Sequence, residues 1–350
     1  MTFLYLLGRF FGEVVLDYRQ RCVVLPALLC WFLGSNLAAQ QKLDWVQVGP
    51  DVPKALEATW ETPAKTVFEG RIKQLDGEQL VIALADGQVR TLDSRRVETV
   101  RPEWANDQVA AAQVLLREGK YQEGILAIDE ARKAGVPRWQ QRFLIAEMVW
   151  AAAASGNNRT AGILFVNMAD SNAPAMLYAD MPLVWASKQL PRALREQAEK
   201  WLSSVKDTER LLGASWMLFS DQGEKAKEVL TELQSSSNKT VAQLAAAQAW
   251  RTVPPPQTLD ELRNWYEFRE TLLPPLRLGL TEFIADRLAS IGETDLAIGQ
   301  LVRIANEHSY RYHRAAGALQ SAQQLLKRAG RSEEAERLNP WIEKLKKPEA

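Results

Sequence analysis

The feature that most limits the folds open to this chain is a short pattern that returns at a nearly constant distance. The stretch from Gly119 through Tyr121 to Gly124 is followed 37 residues on by Gly156 through Asn158 to Ala161. Gly292 through Thr294 to Ala297 is followed 38 residues on by Gly330 through Ser332 to Ala335. In each copy the glycine is suited to end one helix in a tight turn, and the small residue five places later lets a second helix come close. Apolar residues flank the pattern at helical spacing: Val109, Ala112, Leu115 and Leu116 before Gly119, then Tyr121, Ile125, Ile128 and Ala131 after it. No helix can bury such a stripe alone, so the pattern predicts αα-hairpins that pack on their neighbours.

The region from Trp104 to about Leu345 is therefore expected to be α-helical throughout, with five or six hairpins. Leu211 to Leu233 reads as a further hairpin in which Ala226 takes the small position and Asp221 stands where the others have glycine. Pro254-Pro255-Pro256 and Pro274-Pro275 must break or bend the array, because proline lacks the helical N–H. An irregular all-α domain without repeat stacking satisfies the same pattern.

The spacing resembles that of the tetratricopeptide repeat, whose period is about 34 residues. Ala112, Leu115, Ile128 and Ala131 match its positions in the first unit, with Pro137 closing it. Phe165 and Met168 match in the second unit, and Leu301 and Ile304 in a later one. Gly124 departs from the usual alanine, and the spacings are long. The resemblance implies an irregular α-solenoid with an extended concave surface.

Between about Trp60 and Val100 the period changes to two. Phe68, Gly70 and Ile72 alternate with Glu69, Arg71 and Lys73, as in a half-buried strand. Asp76-Gly77 and Asp86-Gly87 are expected to be hairpin turns of the type that needs positive φ. Leu80, Ile82 and Leu84 lie between them, and Val89, Thr91 and Val97 to Val100 follow. Residues 58–102 are thus expected to form a small β-barrel of four or five bent strands, with 40–57 as a linker. The stretch Ala58-Thr59-Trp60, the Ala85-Asp86-Gly87 turn and the strand after it resemble the small SH3-like barrels of the Sla homology type, found in exported bacterial proteins. That resemblance implies an interaction or scaffold element with no catalytic residue.

Arg9, Arg19 and Arg21 precede an apolar run from Cys22 to Leu33, and Gly34 to Ala39 supply small residues. This is the order of a secretory signal, so 1–39 is expected to be a signal peptide cut after Ala39, or a retained anchor tethering the protein through residues 22–38. A periplasmic or envelope location follows. Both cysteines, Cys22 and Cys30, lie in this segment, so a cleaved protein holds no disulfide, thiol nucleophile or cysteine metal site.

Basic and acidic residues number 43 each, and no global field selects nucleic acid. The barrel carries Arg71, Lys73, Arg90, Arg95 and Arg96, but only Phe68 and Trp60 as stacking partners, too few aromatics for a nucleic-acid surface. The two histidines, His308 and His313, would point about 140° apart on one helix and cannot share a metal from one face. Zincin, nucleophile-elbow and P-loop patterns are absent, and no cofactor is expected.

One cluster stands out, the run from His308 to Arg314. Tyr310, Arg311, Tyr312 and Arg314 are candidate partner-binding residues, because aromatic and guanidinium groups together make contact hot spots. Packing between hairpins explains the tyrosines equally well. Trp265, Tyr266 and Phe268 beside Arg269 either line a groove or fill the core. The expected function is an extracytoplasmic scaffold binding a protein or peptide, not an enzyme. The alternatives are a hydrolase of envelope polymers working with carboxylates alone, or a purely structural protein.

Overall fold

The computed structural model describes residues 43–50, 65–104, 106–185 and 192–346. The expected signal segment, both cysteines and Trp60 lie outside these residues, as do most of the expected linker and the start of the expected barrel. What is described belongs to one compact unit, in which a small antiparallel sheet precedes a mainly helical region.

Five strands, β1 (Asp44–Val48), β2 (Thr66–Leu75), β3 (Gln79–Leu84), β4 (Val89–Asp93) and β5 (Val97–Arg101), make the sheet in the order β4-β3-β2-β1-β5. β2 shows the expected alternation, with Gly70, Ile72 and Leu75 buried between exposed neighbours. β1 lies inside the stretch expected to be linker. Five residues give little periodicity, and its inward face starts with an acid. Asp44 is buried because its carboxylate accepts the Ile72 and Glu103 N–H groups at 2.8 and 2.9 Å. Burial outweighs those bonds and raises its pKa.

Both Asp-Gly pairs turn antiparallel hairpins, β2–β3 and β3–β4, but neither turn is of the expected type. Asp86 has negative φ, and Gly87 alone is left-handed at +84°, following a turn closed by its N–H to the Leu84 carbonyl at 3.0 Å. Gly77 is not left-handed at all. Its N–H donates to the Asn172 carbonyl at 2.9 Å, and a Cβ there would lie 2.3 Å from Asn172 Oδ1. Close approach to the helical region, rather than φ, is what requires this glycine. Arg142 completes the seam by donating to the Leu75 carbonyl at 2.7 Å and to Ser171 Oγ at 2.9 Å.

The helices begin with α1 (Asp107–Arg117), α2 (Tyr121–Lys133), α3 (Arg138–Ala154) and α4 (Asn158–Ala169), followed by a 3-10 helix, Ala175–Asp180. Next come α5 (Arg192–Leu202), α6 (Asp207–Met217), α7 (Gly223–Leu233) and α8 (Lys239–Ala249). After the triple proline stand α9 (Leu259–Thr271), α10 (Arg277–Ser290), α11 (Thr294–Glu307), α12 (Tyr312–Arg328), α13 (Ser332–Arg337) and α14 (Asn339–Lys346).

The repeated glycine pattern has one local structure at all four sites. Gly119, Gly156, Gly292 and Gly330 are left-handed, with φ between +76° and +87°. The N–H of each glycine and that of the next residue bond back to the last helical carbonyls. In the first copy Gly119 N–H reaches Leu116 O at 3.1 Å, and Lys120 N–H reaches Leu115 O at 2.9 Å. This paired closure satisfies carbonyls a helix end otherwise leaves open. It generates the hairpins α1–α2, α3–α4, α10–α11 and α12–α13, and the small residues Gly124, Ala161, Ala297 and Ala335 are all buried. Gly124 replaces alanine because Leu116 fills the space, with Cδ2 only 2.3 Å from where a Cβ would sit. Ile128 is fully buried among Val109, Ala112 and Leu144. Ala226 is likewise buried in α7 opposite α6, although that turn has no left-handed glycine. A core running from Val46 and Ile82 through Trp139 and Phe165 to Trp216 and Leu230 joins the sheet to the middle helices.

Candidate functional site

A cavity of about 530 Å³ lies where three separate parts of the sequence meet. The chain leaving β5 contributes Val100 to Pro102 and Trp104; α1 and α3 contribute Arg117, Phe143 and Glu147; the 3-10 helix contributes Asp180. The far side is built by Ser309 to His313 and by Trp341, Lys344 and Leu345 of α14.

Of the four candidate binding residues, Tyr310, Arg311 and Tyr312 line this cavity, while Arg314 does not. Arg314 forms a two-pronged pair with Glu282 of α10, at 3.0 Å and 2.5 Å. Arg311 is buried. It pairs with Asp180 and donates to the Met176 carbonyl at 2.7 Å, which locks the α11–α12 connection onto the 3-10 helix. Both members of the pair are shielded from water, so each charge depends on the other.

The two histidines do not share a helix. His308 ends α11 and His313 lies in the first turn of α12, because the chain breaks at Ser309 to Arg311. Among the described residues no group of three or more His, Cys, Asp or Glu side chains could hold a metal. His313 lies against Trp150, with ring centroids 4.1 Å apart, and burial followed by Arg314 and Arg311 holds its pKa well below the usual value. Its ring is therefore neutral at physiological pH. His308 is driven to about 3, by burial first and by Arg311 next.

The residue that sequence reasoning missed is Glu147. Its Oε2 is screened from solvent and has no hydrogen-bond partner. Burial, and secondarily the Asp180 charge, raises its pKa to about 7, despite the opposing influence of Arg311 and Arg117. Arg117 lies with its guanidinium 4.7 Å from the centre of the Tyr312 ring, and its Nε also lacks a partner. Both His313 nitrogens are unpartnered as well, and the Tyr312 hydroxyl makes no hydrogen bond of good geometry, though Arg117 lies close enough to lower its pKa. Burial pushes the Tyr312 hydroxyl pKa up, with Glu147 adding to the effect, so it stays protonated and can donate. A signal for Glu147 does exist, since it is the single acid of the 17-residue helix RWQQRFLIAEMVWAAAA.

The other aromatic cluster belongs to the core. Trp265 stacks on Phe283 at 5.5 Å, and Trp250 on Phe268 at 4.8 Å. Arg269 beside them is fully buried, yet it donates to Thr281 at 2.6 Å and Glu270 at 2.6 Å and pairs with Glu307. Arg277 and Arg303 each reach Glu270 at 2.6 Å, closing a network with no open position for a ligand.

Among the described residues no helix is long and apolar enough to cross a membrane. Comparison with known proteins finds no matching family model, no matching curated protein and no matching solved structure.

Proposed function

We propose that the protein is an extracytoplasmic binding scaffold whose recognition site is the cavity around Glu147 and Arg117. One observation carries this reading: a cavity of ligand-binding size gathers aromatic walls and several buried polar atoms without partners. Native proteins rarely leave such atoms open where nothing is bound. The four glycine-closed hairpins support a tetratricopeptide-like array. The strand order β4-β3-β2-β1-β5, with a 3-10 turn before β5, supports an SH3-like barrel that caps it. Export by residues 1–39 and a protein or peptide partner belong to the same reading. Nucleic acid does not, since the sheet offers few stacking aromatics.

The test is affinity capture from an envelope fraction with the wild type and with Arg117→Gln. A partner held by the wild type and lost with the variant supports the reading. Equal recovery by both places recognition elsewhere. Mass spectrometry of the native N-terminus checks export, with a first residue at Gln40 expected after cleavage; an intact Met1 in a soluble cytoplasmic fraction contradicts it.

A second reading is favoured by one feature. Glu147 is an acid poised near neutrality and Asp180 lines the same cavity, the two-carboxylate arrangement a glycan hydrolase needs. Against it, Asp180 is committed to Arg311. Hydrolysis of envelope glycans by the wild type, abolished in Glu147→Gln, would establish the enzyme and displace the scaffold.

A further inference from the structure

Several residues lining the cavity hold buried polar atoms without partners, and most of these can donate. Arg117 Nε–H is a donor, the Tyr312 hydroxyl can donate, and neutral His313 carries one N–H. Glu147, when protonated, is a donor too. The lining charges agree: with Arg311 matched by Asp180, the cations Arg117 and Lys344 share the cavity lining with Glu147, and Arg101 lines it too, its guanidinium over Trp45. A ligand that completes this set brings acceptors and negative charge. Phe143, Trp104 and Leu177 give the body attached to that charge an apolar surface, and the half-exposed Trp341 stands at the mouth.

We propose that the cavity captures a carboxylate carried on an apolar or aromatic body, with Arg117 and the Tyr312 hydroxyl as its donors and Glu147 beside them. This inference rests on the binding reading above and names its ligand chemistry. Such a carboxylate comes from a peptide C-terminus or from a free organic acid, and the two sources are separable.

Binding of the anion is linked to a proton. The charges that act on Glu147 are those of Asp180 in the 3-10 helix, Arg311 ahead of α12 and Arg117 of α1, with Tyr312 also close; His313 and Lys344 share the cavity lining. Arg311 and Asp180 are paired, and neutral His313 does not compete for the proton. An anion beside Glu147 favours its protonated form, so one proton enters with the ligand. Affinity then falls by about tenfold for each pH unit above 7. A cationic ligand requires the opposite slope.

The experiment titrates the full-length protein by calorimetry and by tryptophan fluorescence, since Trp104 and Trp341 line the site. Three probes are compared: octapeptides randomised in their last three positions with free C-termini, the same pool amidated, and 3-phenylpropanoate. Saturable binding of the free peptides, at least tenfold tighter than the amidated pool, supports the proposal and identifies a peptide source. Binding of 3-phenylpropanoate as well extends it to free acids, and binding of that probe alone assigns the free acid. Equal binding of free and amidated peptides overturns the carboxylate while leaving the scaffold reading intact. Absence of binding by all three probes also overturns it, and the capture experiment then decides the scaffold separately. Glu147→Gln gives a second readout, because its amide mimics the protonated acid. Its affinity should match the wild type at pH 6 and lose the decline above pH 7. A wild-type affinity that rises with pH, or an unchanged slope in the variant, refutes the proton linkage.

Discussion

Around Arg269 and around Glu147 the protein places charge out of contact with water, and the two regions settle that cost differently. The Arg269 guanidinium is fully buried, but a hydroxyl and two carboxylates meet its donors, and further arginines neutralise those acids. Glu147 has two arginines within electrostatic range, yet no partner at Oε2. The first arrangement holds α9, α10 and α11 together. The second keeps an acid close to its neutral form and leaves buried polar atoms without partners on residues that line a cavity. A charge that only stabilises a fold is surrounded by partners; an open one beside a cavity is where a ligand can supply what is missing.

Four substitutions probe this contrast. Ile128→Asp puts an acid in a fully buried site with neither network nor cavity, and it should destabilise by about 4 kcal/mol or more. Chemical denaturation measures this, and unchanged stability would disprove the register of α2. Arg269→Ala removes the fully buried centre of the network, empties its space and takes one partner from each of Glu307 and Glu270, which keep Arg303 and Arg277. A loss of about 3–5 kcal/mol is expected.

Glu147→Gln should act in the opposite direction. The folded-state pKa of about 7 lies above the usual 4.5, so the folded protein binds more protons between those values and the wild type loses stability as pH rises through them. The glutamine variant escapes this loss and should be more stable than wild type by about 3 kcal/mol at pH 8, with the gain vanishing near pH 4. Denaturation curves at the two pH values check it; a gain of equal size at both would mean that titration is not the cause. Gly119→Ala, at an open turn with nothing near its missing Cβ, should cost only about 1 kcal/mol, through the left-handed φ of +78°. A much larger loss would show that the hairpin turn bears tertiary strain.

The hairpins were legible because the glycine that closes each helix and the small residue that admits the next are local requirements with a fixed spacing. The sheet was legible where its strands alternate and hidden where they do not. β1 escaped notice because Asp44 replaces an apolar residue on its inner face and obtains its partners from Ile72 and Glu103, far away in sequence. Gly77 was recognised as special for the wrong reason, since its need comes from Asn172 rather than from its own turn. At the site, Tyr310, Arg311 and Tyr312 attracted attention by composition, but the same composition covered Arg314, which merely pairs with Glu282. Glu147 and Arg117 could not be joined to them on paper, because the cavity assembles residues from both ends of the helical region.

That assembly bears on how the chain folds. Arg311 and its partner Asp180 are 131 positions apart, whereas the glycine-closed turns form between close neighbours. Local hairpins gain their contacts early, while a long loop must be closed before the Arg311–Asp180 pair can form. During synthesis the first hairpins emerge and pack well before α14 supplies Trp341 and Lys344. The pocket is therefore completed last. A chain halted before α14 carries hairpins able to fold but lacks Trp341 and Lys344 of the cavity wall.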